Sequence, residues 1–354
     1  MKALKVLFKV LLVLLLVVLV GAAGLIGYLS ATEYRPEDVE PVEVTAAARK
    51  DVVRTGEMLT VVTFNTGYGA LGRDEDFFMD GGKKVRPDSK EEVTENISGI
   101  LSALTQRNAD IYLLQEVDRD SARSFYTDEA SYYQHGLSLN MAFAHNYKCD
   151  FVPFPWPPIG KVSSGLATYT TLDVTEAARE SLPVPFTWPV RVANLKRCLL
   201  IERVPVADTG KELVLINLHL EAYDDGEGKA AQTRQLMDII EAEYRNGNYV
   251  IAGGDFNQTF EGVSAYPVLN DAYWQPGKLS NADLPSGFRY LYDESSPTCR
   301  LLNQPYTGDR ERSQFYVIDG FLVSDNLKVN HIETIDLNFK NSDHNPVVLQ
   351  VTPM

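Results

Sequence analysis

The chain has 354 residues, of which 45% are apolar and 23% charged, so it is too long for a disulfide-stapled peptide and too hydrophobic to be disordered. Its formal net charge of -15 excludes non-specific coating of nucleic acid, so recognition of a phosphate should depend on a few placed groups or on a cation. The three cysteines lie far apart, which excludes a cysteine-rich zinc module and a dense disulfide framework.

The amino-terminal segment, residues 1–31, is predicted to be a membrane anchor. Three lysines precede an uncharged stretch at residues 10–29, which as a helix would cross the roughly 30 Å hydrocarbon core of a lipid bilayer. The lysines favour a cytoplasmic amino terminus, and hence a single-pass protein whose remaining chain is extracytoplasmic. The alternative is a secretory signal cleaved near the small residues 21–23, which would release the protein.

The next segment, residues 32–57, mixes prolines and charges without apolar periodicity, which predicts an extended spacer. Residues 74–89 are polar and are expected to form a long surface loop. No interior linker is visible after the spacer, so residues 58–354 are predicted to form one domain.

Short apolar runs dominate this domain from Leu59 onward, and helices are predicted near residues 91–107 and 228–244. Several strands follow one another without an intervening helix, which indicates antiparallel hairpins. We therefore expect an α/β fold in which two mixed sheets pack face to face with helices outside, rather than a parallel doubly wound sheet.

Polar residues that end or interrupt the apolar strands form the candidate site, because strand ends at a sheet rim commonly carry functional groups. A carboxylate inside an apolar strand is costly unless it is paired or binds a metal, and four acids share this setting, which predicts a shared cation. Each residue alone also fits a structural role, such as a turn cap or a hydrogen-bonded core histidine, so the inference depends on the set. The set is Asn65, Glu116, His219, Asp255, Asn257, Asp319, Asp343 and His344.

The chain resembles the endonuclease/exonuclease/phosphatase superfamily over about residues 59–353, through the ordered motifs FNTGYG, LLQEVD, NLHLE, GGDFNQT, YVIDGFLVS and NSDHNPVV. The resemblance implies a four-layer α/β/β/α sandwich of the DNase I type with a divalent-cation site at one rim, and makes residues 58–354 a catalytic domain. It implies a metal-dependent phosphoric ester hydrolase, foremost a phosphodiesterase of the nuclease or neutral sphingomyelinase kind. The alternative is a membrane-tethered binding module that keeps the fold without catalysis.

The matching motifs also imply a metal site. Glu116 would be the principal metal ligand, assisted by Asn65 and by Asp343. Oxygen ligands of this kind suit Mg²⁺, with Mn²⁺ as an alternative.

The same resemblance implies catalytic roles for five further residues. Asp255 and Asn257 would orient and deprotonate the attacking water. His344, paired with Asp319, would contact the phosphoryl group or move a proton. His219 would stabilise the transition state or protonate the leaving oxygen.

Substrate contacts are less specified by the sequence. Arg119 and Arg123 follow Glu116 and are candidates for binding a substrate phosphate, with plain solvated charges as the alternative. The aromatic, proline-rich residues 146–161 would line the cleft or touch the membrane surface, unless they serve ordinary packing.

The motifs of inositol polyphosphate phosphatases and of AP endonucleases are altered in this chain. We therefore expect the substrate to be a phosphodiester in extracytoplasmic nucleic acid or in a phospholipid headgroup. The lipid bilayer is expected to contact residues 10–29, and no protein partner is predicted.

Overall fold

The computed structural model of the protein describes residues 2–47 and 49–354. Within these residues the helices are α1 Lys2–Ala31, α2 Lys90–Thr105, α3 Glu129–Leu137 and α4 Glu227–Arg245. The strands are β1 Val39–Pro41, β2 Val44–Thr45, β3 Leu59–Asn65, β4 Ile111–Asp118, β5 Asn140–Val152, β6 Gly160–Thr170, β7 Glu176–Ser181, β8 Cys198–Val206, β9 Lys211–His219, β10 Tyr249–Asp255, β11 Gln258–Thr259, β12 Gly277–Lys278, β13 Phe288–Leu291, β14 Cys299–Arg300, β15 Phe315–Tyr316, β16 Asp319–Ser324, β17 Leu327–Thr334 and β18 Val347–Pro353.

Two mixed sheets of seven strands each form the centre of the molecule. Their strand orders are β1-β7-β8-β9-β10-β16-β13 and β17-β18-β3-β4-β6-β5-β2. Each sheet contains one parallel pair, β9 with β10 and β3 with β4, and the remaining neighbours in the two sheets are antiparallel. This topology confirms the predicted α/β fold with two mixed sheets.

Three apolar layers hold the sheets and helices together. Aliphatic side chains such as Leu113 and Ile251 fill the space between the sheets. Helices α2 and α3 cover the outer face of the sheet that contains β3 and β4, and α4 covers the outer face of the other sheet. The predicted helices near residues 91–107 and 228–244 are α2 and α4, whereas α3 is too short and polar to have been predicted.

Helix α1 leaves the body of the protein at its carboxyl-terminal end. It is long and apolar enough to cross a membrane, and residues 2–24 are exposed. Near its end Leu29 is buried against Val152 and Ile159. The end of α1 is thus fixed to the domain.

Residues 32–57 differ from the predicted spacer, because they are extended but lie along both sheets. Strand β1 pairs with β7 and β2 pairs with β5, so this segment covers an open edge of each sheet. Val53 is buried in the core between the sheets and bridges to Val206. Open sheet edges offer unpaired N–H and C=O groups, and an adjacent extended chain satisfies them. The domain is therefore held close to the end of α1.

One acid lies in the core between the sheets. Glu202 on β8 shares the inward face of that strand with Leu200 and Val204, and its Oε2 has no hydrogen-bond partner among the described residues. Burial raises the pKa of Glu202 from 4.5 to about 8. The folded protein therefore binds this proton more tightly than the unfolded chain does.

We expect this acid to make folding stability depend on pH. Between pH 4.5 and about 8 the folded state retains the Glu202 proton that the unfolded state loses, so the free energy of unfolding falls as pH rises. The slope from this one group is at most about 1.4 kcal/mol per pH unit. Glu202→Gln should remove this contribution and make the slope shallower, as measured by thermal unfolding of the full chain followed by near-UV circular dichroism. The exposed-acid control Glu311→Gln should keep it, and an unchanged slope in Glu202→Gln would contradict the expectation.

Candidate active site

The predicted site residues gather at one rim of the two sheets, where both parallel pairs end. Strand β3 ends at Asn65, β9 at His219 and β10 at Asp255, and Asp319 begins β16 directly opposite Asp255. The Nδ2 of Asn65 donates to Oδ2 of Asp255 at 3.0 Å, which joins the two sheets at this point. A single site therefore forms from residues that lie far apart in the sequence.

Glu116 lies in an irregularity of β4. The strand register shifts between Leu114 and Val117, and Glu116 has a positive φ of 55°. The left-handed region costs a non-glycine residue roughly 1–3 kcal/mol, and such strain concentrates at functional sites. The Thr66 hydroxyl lies 3.0 Å from the carbonyl oxygens of Gln115 and Glu116 and holds the irregularity in place. The bulge thus directs this carboxylate to the rim.

Asp255 is positioned by its neighbours on β10. Gly254 has a φ of 153°, and a Cβ there would lie 1.9 Å from the carbonyl oxygen of Leu218, so only glycine allows β10 to approach β9 this closely. The backbone N–H of Asn257 donates to Oδ1 of Asp255 at 2.8 Å. Asn257 has a φ of 50°, and its Nδ2 donates to the carbonyl of Leu220 at 2.9 Å. Asp255 is therefore held in one orientation.

His344 and Asp319 form a buried dyad, with Nδ1 of the histidine 2.8 Å from Oδ2 of the aspartate. The backbone N–H of His344 donates to Oγ of Ser342, and the backbone N–H of Asp319 donates to Oγ1 of Thr298. Burial alone would lower the pKa of His344, but the Asp319 carboxylate raises it well above its usual value. The carboxylate of Asp319 thus favours the protonated imidazole of His344, whose Nε2 lies 3.8 Å from Oδ2 of Asp255.

His219 has the opposite electrostatic character. Its Nε2 lies 3.4 Å from Oδ2 of Asp255 and 3.8 Å from Oε1 of Glu116. Burial, with smaller contributions from Arg197 and His344, lowers the pKa of His219 well below its usual value. Its Nδ1 finds no hydrogen-bond partner in the described part of the chain. Burial thus favours the neutral form of His219, and its Nε2 faces the acids.

The acids at the rim lack sufficient positive charge around them. Burial, followed by repulsion from Asp343, raises the pKa of Glu116 to about 8. Burial, followed by repulsion from Asp319, raises the pKa of Asp255 to about 7, and burial also raises the pKa of Asp343. A cluster of desolvated carboxylates fits a divalent cation, because the cation supplies the missing charge and carboxylate oxygens are preferred ligands of Mg²⁺ and Mn²⁺.

Two trios of candidate ligand atoms overlap at the dyad histidine. The ligand atoms of Asp255, Asp319 and His344 lie within 4.8 Å of one another, and so do those of Cys299, Asp343 and His344. His344 belongs to both trios, and because Asp319 favours its protonated form, the carboxylates around it are the candidate ligands of a cation.

Asn65 and Asp343 lie on either side of a close turn. Asn65 Oδ1 accepts the N–H of Gly67 at 3.0 Å, which fixes the orientation of the amide whose Nδ2 binds Asp255. Gly67 has a φ of 57°, and a Cβ there would lie 2.9 Å from Oδ1 of Asp343. The Oγ of Ser342 donates to the backbone carbonyl of Asn65. In this arrangement Asn65 orients Asp255 more directly than it offers a free oxygen to a metal.

The two arginines that follow β4 are occupied by other residues. Arg123 is buried beside the β4 glutamate, donates through Nε and Nη2 to Asp118 at 3.1 and 2.9 Å, and stacks on Tyr68 at 3.2 Å from the ring centroid. Arg119 is half-exposed, and its Nε lies 3.6 Å from Asp128. The structure therefore uses Arg123 to support the site rather than to present a free guanidinium to a phosphate.

The sequence carries no motif that identifies two residues supporting the histidines, Thr298 and Arg197. The Oγ1 of Thr298 accepts the N–H groups of Ile318 and Asp319, and this threonine lies in a polar turn that carries no motif. Arg197 is buried beneath β9, where its Nε lies 3.2 Å from Oε2 of Glu221. Glu221 ends the NLHLE motif, so its position was visible in the sequence but its partner was not.

The chain is similar to known proteins in its sequence profile and in its fold. A family profile described as "Endonuclease/Exonuclease/phosphatase family" matches residues 62–344. No curated protein sequence matches the chain.

Several solved structures share the fold. The endonuclease/exonuclease/phosphatase from Beutenbergia cavernae is 18% identical, with a TM-score of 0.59 over 84% of this chain and 72% of that one. A family protein from Bacteroides thetaiotaomicron is 18% identical, with a TM-score of 0.52 over 84% of this chain and 98% of that one. TDP2 from Caenorhabditis elegans is 16% identical, with a TM-score of 0.51 over 84% of this chain and 76% of that one. At these identities the likeness shows the fold.

Proposed function

We propose, because the chain belongs to the endonuclease/exonuclease/phosphatase family, that it is a divalent-metal-dependent phosphodiesterase. Family membership supports a phosphoesterase or nuclease-type hydrolase in general terms. The observation that supports the finer proposal is the cluster of buried acids with raised pKa values beside two histidines of opposite charge. Such a set can bind a cation, activate water and contact a phosphoryl group.

In this proposal Glu116 and Asp343 hold the cation, which is Mg²⁺ or Mn²⁺ and supplies positive charge to the phosphoryl oxygens when it is bound. The bulge of β4 fixes Glu116, and the turn at Gly67 fixes Asp343. Asn65 belongs to the same site through its hydrogen bond to Asp255. Geometry set by the fold lowers the cost of assembling these ligands.

Asp255 is the proposed general base. Both of its oxygens accept hydrogen bonds, from Asn65 and from the backbone of Asn257, so its direction toward an attacking water is fixed before the substrate binds. The raised pKa of about 7 makes it a stronger base than an ordinary aspartate near neutral pH. Asn257 acts by orienting this carboxylate.

The two histidines have different proposed roles in catalysis. His344 is protonated through Asp319, so its Nε2–H can bind a phosphoryl oxygen or pass a proton to the leaving oxygen. His219 is neutral, so of its two predicted roles we favour hydrogen bonding to the transition state over donation of a proton. The positive charge of Arg123 favours the ionised form of Glu116. Arg119 remains a candidate for a more distant phosphate contact.

We further infer that the protein is single-pass and that its domain lies outside the cytoplasm. The support is α1, whose first residues carry three lysines and no acid and whose residues 10–29 carry no charge. Nucleic acid outside the cytoplasm and phospholipid headgroups are then the accessible phosphodiesters.

Magnesium-dependent hydrolysis of bis-p-nitrophenyl phosphate by washed membranes that contain the full chain tests this function. We expect release of nitrophenol that EDTA abolishes and Mg²⁺ or Mn²⁺ restores. A folded protein without turnover on any diester would instead indicate a binding module. Activity in the soluble fraction, on a chain that begins near residue 23, would contradict the anchor while leaving the enzyme intact.

A further inference from the structure

Two loops of the domain are uncharged and rich in proline and aromatic residues, in a chain that is otherwise 23% charged. The first aromatic loop, residues 153–159, has the sequence PFPWPPI, and the second aromatic loop, residues 183–190, has the sequence PVPFTWPV. Trp156 is 91% exposed, Phe154 is 70% exposed and Trp188 is 59% exposed. Water is a poor environment for such groups, and an exposed apolar patch of this kind marks an interaction surface.

Both loops lie where α1 leaves the domain. The Nε1 of Trp188 donates to Oγ of Ser30 at 3.0 Å. Val152, directly before the first aromatic loop, and Ile159, its last residue, are buried in one cluster with Leu29 of α1. The exposed aromatic side chains thus lie beside the exit of the one candidate membrane span in the described residues.

We propose that the two aromatic loops rest on the surface of the lipid bilayer into which α1 inserts. Tryptophan is enriched at the membrane–water interface, where its apolar ring is buried and its N–H remains close to polar groups. The position of the loops at the helix exit favours lipid over a protein partner, because the bilayer is the surface that α1 brings to this point. Since the domain is acidic, the contact relies on burial of aromatic surface and not on attraction to anionic lipids.

A chain of contacts leads from the first aromatic loop toward the candidate site. Phe78 packs against Phe154 with ring centroids 5.8 Å apart. Two residues later, Oδ1 of Asp80 accepts the hydroxyl of Tyr223, and its Oδ2 accepts the N–H of Leu302. Burial, followed by the charge of Asp80 and smaller contributions from Glu116 and Asp343, raises the pKa of Tyr223, so this tyrosine lies near the acids of the site.

A second route leads from the same apolar cluster to the metal-binding acids. Tyr147 belongs to the cluster that buries Leu29, and its ring lies 5.8 Å from the guanidinium carbon of Arg123. Arg123 stacks on Tyr68 beside Glu116. The proposed activity would therefore act on phosphodiesters in the headgroup layer, an extension that rests on the proposed function.

Tryptophan fluorescence of the full chain in phosphatidylcholine vesicles tests the lipid contact. The chain has three tryptophans and none of them is in α1, and the third, Trp274, packs against Tyr316 and donates to the carbonyl of Ala222. Lipid brominated near the headgroup end of its acyl chains should quench the Trp274→Phe protein, whose signal comes from Trp156 and Trp188. The doubly substituted W156F/W188F protein, whose signal comes from Trp274, should show no such quenching.

The experiment gives different results if the loops contact water or a second copy of the chain instead of lipid. If aqueous iodide quenches Trp156 and Trp188 fully and brominated lipid does not, the loops face water and the proposal is wrong. If both quenchers fail in crowded vesicles but iodide succeeds in nanodiscs that hold one chain each, a second copy covers the loops. These readouts do not depend on hydrolysis, so failure here would leave the proposed activity standing.

Turnover of two substrates tests the extension to headgroups. Trp156→Ser in vesicles should lower hydrolysis of a phospholipid in the bilayer by about tenfold, the effect of losing one partly buried aromatic side chain. Hydrolysis of soluble bis-p-nitrophenyl phosphate should not change, and neither rate should change in Tyr132→Ser, which removes a half-exposed aromatic from α3. Equal losses on both substrates would assign Trp156 to folding and overturn the extension.

Discussion

Glu116→Gln should remove nearly all hydrolysis and weaken magnesium binding. The glutamine keeps the shape of the side chain at the β4 bulge, but it replaces a carboxylate with a neutral amide where burial and Asp343 already leave negative charge unbalanced. Loss of support around a metal ligand alone costs about 10–100-fold, so loss of the ligand charge should cost more than about 100-fold. Turnover as a function of Mg²⁺ concentration gives both effects.

The matched control is Glu202→Gln, the same change at a buried acid on β8. Glu202 pairs with Leu215, four residues before the rim residue at the end of β9, so it lies roughly 13 Å along the strand from the site. The turnover and magnesium dependence of the Glu202→Gln protein should equal those of the unaltered protein. Unchanged magnesium dependence in Glu116→Gln would remove Glu116 from the metal site.

The sequence predicted the strands and the rim because both follow from short-range patterns. A buried strand has a run of apolar residues in its sequence, and Asn65 and Asp255 lie at the ends of such runs. Parallel neighbours bring these ends to one edge, so the spatial grouping of the site followed from strand order. The two sheets and the outer helices α2 and α4 were predictable for the same reason, whereas the short helix α3 was not.

Local backbone geometry and long-range contacts were not predictable. The left-handed conformation of Glu116 depends on the carbonyl contacts of Thr66, and no residue preference indicates a bulge at LLQEVD. The stacking of Arg123 on Tyr68 joins residues 55 positions apart. The sequence therefore indicated only a solvated or a substrate-binding arginine at position 123. Residues 32–57 lacked periodicity because they add edge strands to two different sheets, with few residues in each.

The charges of the two histidines could also be assigned only from the structure. Both are buried beside Asp255, yet only His344 has a carboxylate on its Nδ1, and His219 has Arg197 nearby. Desolvation without a partner favours the neutral imidazole, whereas a buried aspartate favours the charged one. The family resemblance implied different roles for the two histidines, but the sequence alone could not assign their charges.

Asp255→Asn should cut turnover by about 100- to 10,000-fold, the usual loss when a general base is removed. The asparagine can accept only one of the two hydrogen bonds that Asn65 and the Asn257 backbone give to the aspartate, so a modest loss of thermal stability should accompany the change. Magnesium affinity should stay close to that of the unaltered protein, because Glu116 and Asp343 keep their charge. Binding is measured by calorimetry and turnover by nitrophenol release, with Glu116→Gln as the contrasting variant that loses both.

The pH profile distinguishes a base from a metal ligand at this position. Asp255 works as a base only when it is ionised, and burial followed by Asp319 raises its pKa to about 7, so turnover should rise with pH and level off above that value. Bound Mg²⁺ favours the carboxylate, so higher Mg²⁺ should move this rise to lower pH. Asp255→Asn should abolish the rise along with the rate. If turnover and magnesium affinity fall in equal proportion and the residual rate keeps its pH dependence, Asp255 binds the metal, and another group at the rim removes the proton from water.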